Sequence, residues 1–304
     1  MVGVINTGSF PKALWEGVNA WFGQKYDQHP TEYVALFDSF DSKKKYEEDV
    51  QAVSFGLAQV KAEGSNLAYD SMQQGFVSRY THVAYALGFI VTREEQDDNL
   101  YAELAMKRSG LLAWSMAETK ENVGANVYNR AFNSSYQGGD SKELLATDHA
   151  NSVGGGTYSN ELNPAADLSE QSLEDLAIQI GQAENDRGLK IALRPQRLII
   201  PINLEFEAAR ILKSTLQNDT GNNAINALRT MNVIPEIVVN HYLTDTDAWF
   251  VKTNCPDGMK LFNRVARRLE NDNDFSTKNM LASAYERYAF GWSDPRGLYG
   301  SQGA

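Results

Sequence analysis

The sequence predicts an α+β fold built around one long helix. Three observations carry this. Residues 97–132 contain no proline and show a mostly 3- and 4-spaced apolar stripe. Segments before and after that stretch alternate apolar and polar residues with the period of two that half-buried strands require. Between them, short helical and strand patterns follow one another within residues 167–253.

Residues 1–45 are rich in large aromatics (Phe10, Trp15, Trp21, Phe22, Tyr26, Tyr33, Phe37, Phe40) but poorly periodic. Pro11 and Pro30 punctuate them, and short helical turns are expected at 11–22 and 31–38. So much apolar surface must lie against something, either its own domain or a neighbouring molecule. Residues 46–92 read as β. Val53, Phe55 and Leu57 alternate before the turn-prone Glu63-Gly64-Ser65-Asn66, and Leu67 and Tyr69 alternate after it. Val77, Val83, Tyr85, Leu87, Phe89 and Val91 share one parity, the face expected to be buried. Because 50–75 is thinner in large apolar groups than 76–92, it reads as a hairpin projecting from the core.

Asp97-Asp98-Asn99 supplies capping and first-turn acids for the long helix. Leu100, Leu104, Leu111, Trp114, Val123, Tyr128 and Phe132 form its stripe. Residues 133–167 read as a polar loop with three glycines at 154–156. A helix capped by Asp167 or Ser169 follows, with Leu173, Leu176 and Ile180 on one side. Residues 189–201 carry a buried strand, 205–216 a short amphipathic helix, and 217–232 a loop. Strands are expected at 236–243 and 248–253 across a Thr244–Asp247 turn, then at 258–265, an acidic loop at 269–275, and a last strand around 284–292. The tail after it reads as flexible toward its end.

Composition narrows the function. The chain has 304 residues, 42% hydrophobic, with one cysteine and a formal net charge of −11. Such apolar content supports a packed core and excludes global disorder. Cys255 alone forms no internal disulfide, and no cysteine-rich zinc site is present. No apolar run approaches the ~18 residues of a membrane helix, and residues 1–18 lack the regions of a signal peptide, so a protein of a reducing compartment is expected. The acidic balance and scattered basic residues argue against a nucleic-acid binder. The one basic run, Lys43–Lys45, is followed by Glu47, Glu48 and Asp49.

Catalytic and metal patterns are weak. No nucleophile elbow occurs, Cys255 has no evident histidine partner, and the glycines at 154–156 match neither a phosphate loop nor a dinucleotide fingerprint. His241 with Asp245 and Asp247, and Asp148 with His149, could supply ligands but read better as turn formers. Glu270, Asp272 and Asp274 lack the glycine and terminal glutamate of a calcium loop. No enzyme activity, cofactor or metal is expected.

The order of elements is distinctive, and five segments carry a resemblance: MQQGFVSRYTHVAYALGFIVTREEQDDNLY (72–101), TKENVGANVYNRAFNSSY (119–136), ELLATDHAN (143–151), LRPQRLIIPINLEFEAARIL (193–212) and ERYAFGWSDPRGLYGS (286–301). Together they resemble the Hong Kong 97-type fold of tailed-phage major capsid proteins, and within it the Mu-like prophage major head subunit family. The resemblance implies an N-terminal arm at 1–45, an extended loop at 46–75 reaching onto a neighbouring subunit, a discontinuous peripheral domain at 76–150 and 254–304, and an axial domain at 151–253.

It further implies a shell of hexamers and pentamers of this chain that encloses double-stranded DNA without sequence-specific binding and without a membrane. Portal, scaffold and decoration proteins would be partners, the scaffold as a separate protein, with assembly in the host cytoplasm and location in the virion. An encapsulin-like cellular compartment is the alternative use of the same fold. On this reading Trp15, Trp21 and Phe22 of the arm and Phe55 and Leu57 of the loop are the expected subunit-interface residues, since buried aromatics dominate interface energies. Replacing Trp15 or Trp21 by alanine should then impair assembly and leave the subunit folded. Lys61 lies where some relatives form an intersubunit crosslink, but no partner asparagine is identifiable, and it reads as a solvated loop residue.

Overall fold

In a computed structural model, residues 11–304 are described except 54, 98–100, 218–223, 275 and 278. The aromatic N-terminal stretch is more regular than its sequence suggests. A helix α1 (Pro11–Asp27) opens with proline at its first position, where the fixed φ suits a helix. The one-turn helix α2 (Tyr33–Leu36) and the short strand β1 (Asp38–Asp41) follow. Strands β2 (Tyr46–Val53) and β3 (Gln73–Thr81) pair antiparallel as a two-stranded ribbon. Strand β4 (Val83–Val91), the short helix α3 (Arg93–Asp97) and the long helix α4 (Tyr101–Asn129) come next. At 1.5 Å per residue the 29 residues of α4 span ~44 Å.

The middle of the chain supplies β5 (His149–Ala150), β6 (Thr157–Tyr158), α5 (Glu170–Gly181), β7 (Pro195–Pro201), α6 (Glu205–Lys213), α7 (Ala227–Thr230), β8 (Glu236–Asn240) and β9 (Trp249–Thr253). The last strands are β10 (Met259–Asn273), β11 (Met280–Trp292) and β12 (Leu298–Ser301).

One four-stranded sheet has the order β1-β10-β11-β4, with β1 parallel to β10 and the other pairs antiparallel. The other has the order β12-β9-β7-β8, with β7 and β8 parallel and the rest antiparallel. Helix α4 lies along the first sheet. Its small and medium residues Leu112, Ala113, Met116 and Ala117 meet Val18, Phe22 and Tyr26 of α1 together with Leu269 and Ala284 of the sheet. Helices α5, α6 and α7 cover the second sheet through Leu173, Leu176, Ile180, Ile211 and Leu228. Leu36, Phe37, Tyr128, Leu145, Ile199, Phe250, Leu261 and Leu298 form a core shared by both sheets and the end of α4.

Several local expectations are corrected. Phe55, Leu57, Leu67 and Tyr69 do not lie on strands. The ribbon ends at Val53 and resumes at Gln73, and the described residues between carry only a turn at Glu63-Gly64, closed by Ser65 N–H to Ala62 O. With no facing layer, their alternation has nothing to bury. In β3 the residues turned to the body are Ser78 and Tyr80, not Val77, because they bond Ser293. In β4, Tyr85 and Phe89 pack inward and Val91 is buried, but Val83 and Leu87 stay half open.

The stripe of α4 is also displaced. Leu111 is 65% and Trp114 50% exposed, and the buried line runs through Leu112, Met116, Ala125 and Tyr128. Leu100 lies outside the described residues, as do Asp98 and Asn99. The three glycines at 154–156 turn the β5–β6 hairpin, all at positive φ. Ser169 caps α5 reciprocally with Ser172. Strands β8 and β9 are not neighbours, since β7 lies between them. The acidic segment from Leu269 to Asn273 is strand, paired to Met280–Ala284, where the ribbon's polar side chains face outward. Within the tail, Leu298–Ser301 form the fully buried edge strand β12.

Candidate assembly surfaces

The arm is fastened to its own chain. Phe22 is only 2% exposed, so this expected anchor packs intramolecularly beneath α4. Trp21 is half-buried on the same helix with the Lys25 ammonium 4.8 Å from its ring centre. Trp15 also lies on α1, and its side chain is outside the described part of the structure.

Beyond α1, a buried carboxylate holds the chain. Glu121 of α4 accepts the backbone N–H groups of Glu32 at 3.0 Å and Tyr33 at 2.9 Å. Burial pushes its carboxyl up to about 7, against the pull of those two hydrogen bonds. Glu32 in turn accepts from the His241 N–H at 2.9 Å and meets its Nδ1 at 2.6 Å, which ties the arm to the turn after β8. Beside it, burial raises the Glu286 carboxyl and lowers the Lys120 ammonium, whose Nζ lies 3.9 Å from Glu286. Lys120 donates to Asn263 Oδ1 at 3.1 Å and sits over the rings of Tyr33 and Tyr288.

The extended loop has the opposite character. Every described residue from 55 to 74 is exposed. Phe55 at 57% and Leu57 at 79% are open. Val60, Leu67, Tyr69 and Met72 are also open, and reading the alternation of Leu67 and Tyr69 as strand hid this. A signal was present in the sequence: six apolar side chains among polar neighbours, with no second apolar layer nearby. Phe206, Ile225 and Met231 add exposed apolar groups on the second sheet's helical side.

On the other flank of β3, a groove of about 780 Å³ runs between β3, β4, the end of α4 and β11. Val83, Tyr85, Val127, Phe290 and Trp292 line it, and Tyr288 Oη and Trp292 Nε1 are buried there without an acceptor among the described residues.

The catalytic and metal patterns resolve into structural roles. His149 is fully buried with Nδ1 2.6 Å from Asp140, while Asp148 pairs with Lys142 at 2.5 Å. Asp245 accepts from the Asp247 N–H, and His241 is engaged by Glu32. Asp274 holds a turn by accepting from Ser276 and Thr277, bonds that depress its carboxyl to about 2. Among the described residues no group of three or more His, Cys, Asp or Glu could hold a metal ion. Burial and the nearby Asp294 push the Cys255 thiol up, away from the thiolate a nucleophile needs. No described helix is long and apolar enough to cross a membrane.

A helix-backed sheet, a long spine helix and an exposed apolar loop are the parts of a shell subunit, and a model of the phage capsid protein family matches residues 76–301. The chain belongs to that family. No curated protein matches it. In solved structures, the capsid chain is similar in fold to the virus-like particle from Pyrococcus furiosus, with 12% identity, a TM-score of 0.54 and coverage of 94% of this chain and 98% of that one. The capsid of a native GTA particle gives 11%, 0.54, and 90% of each chain. Mycobacterium phage Patience gives 10%, 0.54, and 99% of this chain against 89% of that one.

The capsid chain thus has the Hong Kong 97-type fold that its order of elements resembles, and it is a structural, major capsid protein of a phage head. The family match favours this over a cellular compartment. Residues 298–301 pair with β9 and so belong to the sheet of β7, β8, β9 and β12.

Proposed function

We propose that copies of this chain form the hexamers and pentamers of an icosahedral head around double-stranded DNA, with the sheet of β1, β4, β10 and β11 and helix α4 as peripheral domain and the sheet of β7, β8, β9 and β12 as axial domain. Assembly proceeds in the host cytoplasm with portal, scaffold and decoration proteins, and arm and loop contacts tighten as a precursor shell expands. The observation that supports this best is the extended loop. Phe55, Leu57, Val60, Leu67, Tyr69 and Met72 expose apolar surface that none of the described residues covers, and such a patch calls for a partner. Heterologous contacts of this kind, repeated by rotation, close into rings and shells.

Negative-stain microscopy of purified protein tests it. The wild-type chain forms closed particles, and Leu57→Asp with Val60→Asp leaves folded, unassembled subunits. Closed particles at wild-type yield from that double variant would sink the role given to the loop.

A further inference from the structure

Apart from the ribbon that carries it, the loop is hydrogen-bonded to the body of the chain through Arg187. Arg187 Nη1 lies 2.6 Å from Asp70 Oδ2, and its Nη2 donates to Ser71 O at 2.6 Å. Asp70 also accepts from the Gly56 N–H at 2.8 Å, so one carboxylate draws both strands of the loop's neck together and presents them to the guanidinium. Arg187 is itself fixed, because Asn185 Oδ1 accepts from the N–H groups of Arg187 and Leu189 within a tight turn. Below the neck, a cavity of about 500 Å³ separates the base of the ribbon from Ile191, Leu193 and Cys255. The ribbon is held to the body at Asp49 and Tyr80 and is not packed flush beyond them. The ion pair is partly open, with Asp70 at 45% side-chain exposure, which makes it a weak tie that water can replace.

We propose that Arg187 and Asp70 form a reversible latch that sets the direction of the extended loop relative to its own chain. The proposal rests on the shell reading above. Pentamers and hexamers present neighbours at different angles, so one chain needs a loop that can be held in one direction and released into another. A permanent bond would fix a single angle, and no bond would leave each loop to be ordered only on docking.

Two measurements on the full chain test the latch. With spin labels at Lys61→Cys and Ile178→Cys in a Cys255→Ser background, the free subunit gives a narrow distance distribution. Arg187→Ala broadens it at least twofold, Arg187→Lys gives an intermediate width, and circular dichroism is unchanged. Equal widths for all three would overturn the proposal. Separately, Asp70→Cys with Arg187→Cys in the same background assembles when unlinked and gives no closed particles once joined by a short bis-maleimide. Closed particles at wild-type yield from the joined form would overturn it. So would failure of the unlinked form alone, since the contact would then be a permanent shell tie. If the wild-type chain itself forms no particles, the shell reading fails, and the distance distributions still decide the latch.

Discussion

Glu121 shows how much a single buried acid can organise. In sequence it reads as one of several charged residues on a helix surface. In the fold it is 1% exposed and collects two backbone N–H groups of the arm. With its carboxyl raised from 4.5 to about 7 by burial, the folded chain keeps a proton that the unfolded chain loses. The stability this group contributes is fully present below pH 4.5 and is lost as pH rises through 7. Glu121→Gln removes the titration. The unfolding free energy of wild type relative to Glu121→Gln should therefore fall between pH 5 and 7 and level off above, as read from urea denaturation at pH 5, 6, 7 and 8. A pH-independent difference would show that Glu121 does not titrate in this range. Nothing in the sequence marked this residue, because its partners are backbone groups 88 and 89 positions away. By contrast, the cap of α5 was legible as Asp167 or Ser169, because the bonding partner of Ser169 lies three residues on.

At the level of elements, what could be read depended on whether burial came from within a segment or from across the molecule. Helix α5 follows its stripe because Leu173, Leu176 and Ile180 all face one sheet. Helix α4 does not. It is flanked by α1 on one side and the first sheet on the other, so its buried line uses alanines and Leu112 while Leu111 and Trp114 stay open. The arm errs in the other direction. Trp21 and Phe22 were read together as anchors for a neighbour, yet they diverge by a helical turn angle, and Phe22 joins the core. Phe22→Ala should therefore destabilise the subunit itself by ~3–5 kcal/mol in urea denaturation. A stable subunit defective only in assembly would contradict its place in that core. Among the corrected strands, residues 270–273 were missed because all four are exposed polar residues beyond buried Leu269 and have no apolar alternation to show.

For the whole molecule, the order of elements was legible and the pairing was not, because sheet partners lie far apart in sequence. Asp38–Asp41 pairs with Lys260–Asn263, and Leu298–Ser301 with Trp249–Lys252. Charge acts at the same scale. At −11 per chain, association works against repulsion that salt screens over ~10 Å at 0.1 M and ~3 Å at 1 M. The protein concentration at which light scattering first reports particles should drop several-fold between 50 mM and 500 mM salt, and an unchanged threshold would show that charge does not oppose assembly. The placement of β12 has a consequence for timing. During synthesis β9 is finished well before its outer partner, and its edge waits while β10 and β11 are made. β1 likewise waits for β10. Neither sheet can close on the ribosome until late in translation, so half-made chains hold unmatched strand edges and no finished head surface. Competence to join a shell arrives in a single late step, which keeps truncated chains out of it.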